Sequence, residues 1–385
     1  MLRRIAAGVL TLGLFLQVPV QACTFCSGSA LSRQTFREYH ADAKFVAYGL
    51  LSDPKPDPSG LKGTTAFAPK QLFKGTAPAA ASLVIPRYLP LIGKTPPDYL
   101  VFGTVQGAFV EPLYGTTATG PLIAYLEEVA KLPTGNDKDQ AAARWKFYFE
   151  RLDAADAAVA ADAFLEFAKA PDAEIAKAKP LYSAAKLRRL LTNSDVPADR
   201  LGVFALMLGL CGTADDEAFF EKALTAPLSE RVQGNLGGML AGLSLLNPNA
   251  GWAKIEAWAA DAKRPYAERL SAVGTMHYFQ TVMPVESKSP ALKVLRKLLA
   301  APELADIAVE DLRRWGWWDE TKMVLDLWTK PTHGSRLIRR AVVQYALACP
   351  APECKAFVDG VRKTDAKLVA TVEELLQIEA ENKKP

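Results

Sequence analysis

The hydrophobic pattern of this chain changes period once, near residues 126–140, and that change divides any fold it adopts into two parts. Before it, apolar residues come in short β-branched and aromatic runs at 44–51, 64–73, 82–89, 98–103 and 108–113, separated by Pro and Gly. Runs of this length bounded by turn residues predict strands, and five of them suit a small barrel or sandwich. Pro54, Pro56, Pro58 and Gly60 mark 53–63 as a loop. Pro86 and Pro112 must lie at an edge or a bulge, because proline has no N–H to give a ladder.

After the change the chain is rich in Ala, Leu, Glu, Lys and Arg, and apolar residues recur three and four apart. That spacing predicts one-sided helices from 122–132 onward, interrupted by prolines such as Pro171, Pro197, Pro265 and Pro331. Similar helix openings recur at residues 198, 229, 267, 305 and 336. Such periods are produced by stacked helical hairpins, each of which buries its apolar face only against its neighbours. The expected class is therefore α+β in two parts: a five-stranded OB-like barrel over 23–126, then a HEAT-like α-solenoid over 140–385. An irregular all-α domain is the alternative for the second part.

The first 22 residues read as an export signal. Arg3 and Arg4 precede an apolar run from Ile5 to Leu16, and Val20-Gln21-Ala22 places small residues before a cut at Cys23. Twelve helical residues span about 18 Å, too short for a bilayer core of about 30 Å. No later run is long and apolar enough to cross a membrane, so a periplasmic or extracellular location is expected. Val20-Gln21-Ala22-Cys23 also partly matches a lipoprotein cleavage box, which leaves a lipid anchor at Cys23 open. Loss of residues 1–22 removes two arginines and no acid, lowering the formal charge from +4 to +2. Near-neutral charge with bases spread among acids excludes a nucleic-acid face.

Export makes disulfides plausible for the two close cysteine pairs, Cys23 with Cys26 and Cys349 with Cys354. Cys211, in an apolar helical run, is the leftover thiol. Pro350 and Pro352 enforce the turn between the last two cysteines.

From Cys23 to about residue 126 the layout resembles the netrin-like modules related to metalloproteinase inhibitors, which are OB-type barrels. The resemblance rests on Cys23-Thr24-Phe25-Cys26 at the mature N-terminus, 43–49 as first strand, Leu72-Phe73-Lys74-Gly75, and 98–103 as a late strand. Those modules carry Cys-x-Cys where this chain has Cys-x-x-Cys, and they hold more cysteines. The two-part whole also resembles exported bacterial proteins of unassigned role that join such a module to a helical-repeat tail. The inhibitor resemblance implies a zinc-chelating role for the amine and carbonyl of Cys23.

Catalytic motifs are scarce. His40, His277 and His333 are widely separated and in no metal-ligand spacing, and no metal or cofactor site is expected. There is no Gly-x-Ser-x-Gly, no phosphate-binding loop and no Gly-x-Gly-x-x-Gly. Asp215, Asp216 and Glu217 open a helix after Gly212, where acids serve as caps. Trp315, Trp317 and Trp318 cannot all share one helix face, which marks them as candidate partner-binding residues. The function expected is a binding or scaffolding role that presents the helical surface to a protein or cell-envelope partner. Metalloproteinase inhibition through Cys23 and the barrel, or an enzyme of unknown reaction, are the alternatives.

Overall fold

The computed structural model describes residues 23–382 apart from 27, 59–61, 77–80, 92–97 and 136. The export signal expected over 1–22 lies outside the described residues. The chain is α+β in two parts, a closed five-stranded barrel followed by helices. Two compact units divide within the helical part, Ala22–Pro248 and Asn249–Pro385.

The barrel strands are β1 (Phe45–Pro56), β2 (Gly63–Lys74), β3 (Leu83–Ile85), β4 (Asp98–Gln106) and β5 (Phe109–Thr117). They close in the order β1-β2-β3-β5-β4. All neighbours are antiparallel except β3 and β5, which pair parallel at Val84 and Phe109. Phe45, Ala47 and Leu51 of β1 meet Phe67, Leu83, Ile85, Val101 and Val110 in one buried core. The strand period of two sends these residues inward and their neighbours out.

Two strand boundaries differ from the sequence reading. The loop expected at 53–63 is shorter, because β1 runs on through Asp53 to Pro56 against β2, with a register shift between Ser52 and Lys55. Asp53 takes φ 48°, a value Asp tolerates better than most residues. The run 82–89 supplies only three strand residues, since the chain bends at Pro86 and Arg87 N–H turns back to the Ile85 carbonyl. Pro112 sits at the register shift between Phe102 and Gly103 of its partner strand.

Each of the five helix openings read from the sequence is a helix start: Ala198–Arg200 leading into Leu201–Cys211, Glu230–Gln233, Tyr266–Val282, Ala305–Trp315 and Arg336–Ala348. The first long helix runs Gly120–Val129, with Thr119 as its cap. In the Ala22–Pro248 unit, helices Leu201–Cys211 and Leu236–Leu246 cross so closely that a Cβ on Gly238 would strike the Gly202 carbonyl. In the Asn249–Pro385 unit, Tyr266–Val282 packs on Pro284–Leu299, and Arg336–Ala348 packs on both Ala305–Trp315 and Pro352–Thr364. Among the described residues no helix is long and apolar enough to cross a membrane.

Candidate binding cavities of the Ala22–Pro248 unit

A short helix, Phe36–Asp42, organises the site, and the sequence reading missed it. Its signal was present in Thr35-Phe36-Arg37-Glu38, a capping box. Thr35 Oγ1 accepts from Glu38 N–H at 3.2 Å, and the Glu38 carboxylate accepts from Thr35 N–H at 2.8 Å. The cap fixes Phe36 and Arg37 in the first turn. Phe36 stacks on Phe102 of β4 (5.8 Å, 3°), and Tyr39 stacks on Tyr114 of β5 (4.6 Å, 15°), so one helix face joins the barrel.

The helix Ala157–Ala168 holds the other side through buried acids. Asp162 accepts from Phe36 N–H at 2.6 Å and from the Tyr125 hydroxyl at 2.7 Å. One turn later Glu166, 3% exposed, takes two bonds from Arg37, at 3.2 Å from Nε and 2.7 Å from Nη2. Lys169 reaches Glu38 at 2.6 Å. Burial pushes the Asp162 carboxyl up to about 7, against the hydrogen bonds from Tyr125 and Phe36. The same burial, then Asp162, holds the Tyr125 phenol far above its ordinary range.

Two cavities lie beside this junction. One, of about 450 Å³, has Arg37, Glu38, Arg144, Trp145, Tyr148, Glu166 and Lys169 in its wall. The other, of about 240 Å³, is walled by Phe36, His40, Phe73, Phe102, Leu126 and Val129. Arg37 and Arg144 belong to both. Arg144, from the helix Lys138–Glu150, also donates to the carbonyls of Pro133 and Gly135, anchoring the loop at the rim. Two polar atoms in the charged wall have no hydrogen-bond partner among the described residues: Tyr148 Oη and Trp145 Nε1, both buried. Burial, then the Glu166 charge, keeps the Tyr148 phenol protonated. Burial and then the Lys74 charge hold the His40 imidazole below its ordinary value, so it is neutral at pH 7.

No family model matches this chain, and neither does any curated protein. The site therefore stands on its geometry.

The residues singled out from the sequence lie elsewhere. Cys23 is buried, its N–H donates to the Ala168 carbonyl at 3.3 Å, and its own carbonyl accepts from Cys26 N–H. Thr24 ties the same segment to Asp172, with bonds of 2.5 and 3.1 Å. Cys23 and Cys26 stand as neighbouring free thiols, and burial followed by the hydrogen bond to Cys23 pushes the Cys26 thiol far up. Cys349 ends the helix Arg336–Ala348 and Cys354 lies in the first turn of Pro352–Thr364; they too are hydrogen-bonded free thiols. Burial, then that bond, raises Cys354 to about 12. Cys211 is half-buried and raised to about 11 by burial and then by Asp216.

Of the three tryptophans, Trp317 is buried and Trp318 packs edge-on against buried Tyr345. Trp315 is half-buried, beside His277, whose Nε2 lies 2.7 Å from Asp311. His333 is buried with Nε2 3.0 Å from the Leu299 carbonyl. Asp216 caps its helix through Thr213 N–H at 2.8 Å.

Proposed function

We propose that this chain is an exported binding protein that performs no chemistry of its own, and that its ligand seat is the pair of cavities sharing Arg37 and Arg144. The observation that carries the reading is that shared wall. A charged chamber and an apolar chamber adjoin at two guanidinium groups, the mixed lining expected of a small-molecule site. Three acids beside it are engaged in holding the fold, Glu166 by Arg37, Glu38 by Lys169 and Asp162 by Tyr125 and Phe36, and a fourth, Glu174, pairs with Lys177 at the surface. That leaves no nucleophile with an adjacent base among the wall residues named.

The strand order β1-β2-β3-β5-β4 supports assigning the barrel to the OB type and is compatible with the netrin-like resemblance. Inhibition through Cys23 is the weaker reading, since the Cys23 N–H and carbonyl are both engaged inside the chain. Export, with attachment through Cys23 as a variant, belongs to the proposal through residues 1–22. For the later helices we favour a HEAT-like stack, on the strength of the recurring helix starts. A macromolecular partner on those helices is a second reading, favoured by Val285 and Leu337, which stand 83% and 56% exposed.

A thermal-shift screen of the full chain against small organic acids, amines and neutral compounds tests the cavity reading. At least one compound should raise the melting temperature of the wild type and fail to do so in Val129→Phe, whose ring fills the apolar chamber. Hits that stabilise both proteins equally, or no hits at all, would overturn it.

A further inference from the structure

We infer that cleavage before Cys23 completes the fold: the α-ammonium group it creates stays docked inside the Ala22–Pro248 unit as the counter-ion of buried Asp172. The inference rests on the export reading of residues 1–22 and leaves the ligand cavities aside.

The first argument is the state of Asp172. It is 5% exposed and takes two hydrogen bonds, from Thr24 N–H at 3.1 Å and from the Thr24 hydroxyl at 2.5 Å. It opens the six-residue helix Asp172–Lys177, whose first turn offers only partial positive charge. No cation acts on it among the described residues, and burial raises its carboxyl against the Thr24 bonds. Two carboxylates act on the nearby Cys26 thiol; Asp199 has Arg200 beside it, and Asp172 has no such partner. A buried carboxylate without a cation is costly, so the place is short of one positive charge.

The second argument is where the chain would supply that charge. Cys23 N–H donates at 3.3 Å to the carbonyl of Ala168, the last residue of the helix Ala157–Ala168. A helix C-terminus carries partial negative charge and unsatisfied carbonyls, and both favour a cation. Consecutive backbone nitrogens lie under about 4 Å apart, which puts the Asp172 carboxylate within about 7 Å of the Cys23 nitrogen. Here Cys23 follows Ala22, and its nitrogen is an uncharged amide. Hydrolysis of the Ala22–Cys23 bond by a signal peptidase adds water across it, leaving a carboxylate on Ala22 and an amine on Cys23. That amine is protonated at pH 7, since α-amino groups titrate near about 8.

The third argument is that the amine cannot swing away. The Cys23 carbonyl accepts from Cys26 N–H at 3.2 Å, and Thr24 between them is tied to Asp172. The Phe25 carbonyl lies so close to Gly202 that a Cβ there would come within 2.7 Å of it. Cys23 itself is 3% exposed, which leaves no room for an acyl chain on its sulfur or nitrogen. A docked Cys23 is thus no lipid anchor.

Defined chains, compared in reductant at pH 7, test the pairing. One starts at Cys23; the other starts at Gln21, whose glutamine cyclises to an uncharged pyroglutamate. The longer chain keeps the Cys23 amide N–H and brings no ammonium group. It should melt about 2–4 °C below the shorter one. With Asp172→Asn in both, the two should melt together, because an amide needs no counter-ion. 2-Cyanobenzothiazole condenses only with the amine and thiol of an N-terminal cysteine. It should label the folded chain from Cys23 about tenfold more slowly than the free peptide Cys23-Thr24-Phe25-Cys26. Equal melting of the two starts in the wild type, an unchanged gap in Asp172→Asn, or labelling at the peptide's rate would overturn the inference and leave export standing. Intact mass of the natural protein should show a start at Cys23. An acyl chain there would overturn the inference, whereas residues 1–22 still present would defeat the export reading beneath it.

Discussion

Asp162 sits 3% exposed between the Phe36–Asp42 helix and Tyr125, and its proton affinity has a measurable consequence. Burial raises its carboxyl from 3.8 to about 7, so the folded chain holds this proton more tightly than the unfolded chain does. Stability linked to such a group is present at low pH and is lost as pH rises from about 4 through about 7. A shift of this size corresponds to at most about 4 kcal/mol. Asp162→Asn should remove that dependence. The amide oxygen can accept from Phe36 N–H, and the amide nitrogen can donate to the Tyr125 hydroxyl. Urea unfolding at pH 5 and pH 8 should show the wild type losing more stability than the variant between the two values. Equal losses in both proteins would show that Asp162 is not the group responsible.

At the scale of elements, glycines in helices have opposite consequences depending on what faces them. Gly238 and Gly209 lie where helices Leu236–Leu246 and Leu201–Cys211 touch backbone to backbone, and a Cβ at either would strike the opposite chain. Gly274, in the helix Tyr266–Val282, has nothing within 4 Å of its Cβ position. Gly238→Ala should therefore destabilise by about 1–3 kcal/mol, the cost of overpacking a tight contact. Gly274→Ala should stabilise by about 0.5–1 kcal/mol, because alanine is the better helix former. Opposite shifts in the denaturant midpoint check the pair. The capping box at Thr35 and Glu38 acts at the same scale. It starts a helix of only seven residues, too short to form without its cap and its aromatic contacts to the barrel.

For the whole molecule, the question is where the chain can be cut. The change of hydrophobic period near 126–140 suggests a cut there. Asp162 and Glu166, however, bind Phe36 and Arg37 across more than a hundred residues. A chain ending at 135 would leave Arg37 without Glu166 and the Phe36 N–H without Asp162. The piece 23–248, by contrast, keeps those bonds and matches the compact unit Ala22–Pro248. Expressed alone, 23–248 should unfold in a single cooperative transition and show both sheet and helix by circular dichroism. The piece 23–135 should melt at a clearly lower temperature or fail to fold. Equal melting of the two pieces would show that the helical contacts contribute nothing to the barrel.

Local pattern determined a good deal by itself. The five strand runs and the five helix starts were readable because alternation and three-four spacing are properties of neighbouring residues, which burial on one face imposes. Pro112 falling at a register shift followed from the missing N–H alone, whereas the strand run read over 82–89 stops at Ile85, ahead of Pro86. The site was not readable in that way. Arg37, Arg144, Trp145, Tyr148 and Glu166 are scattered over some 130 positions, and each resembles an ordinary charged or aromatic helix residue. Only closure of the barrel onto the Phe36–Asp42 helix, and of that helix onto Ala157–Ala168, brings them to one wall. The same closure decides which carboxyls are buried and which donors are left over. Those are consequences of desolvation and distance, and neither is a property of neighbours in sequence.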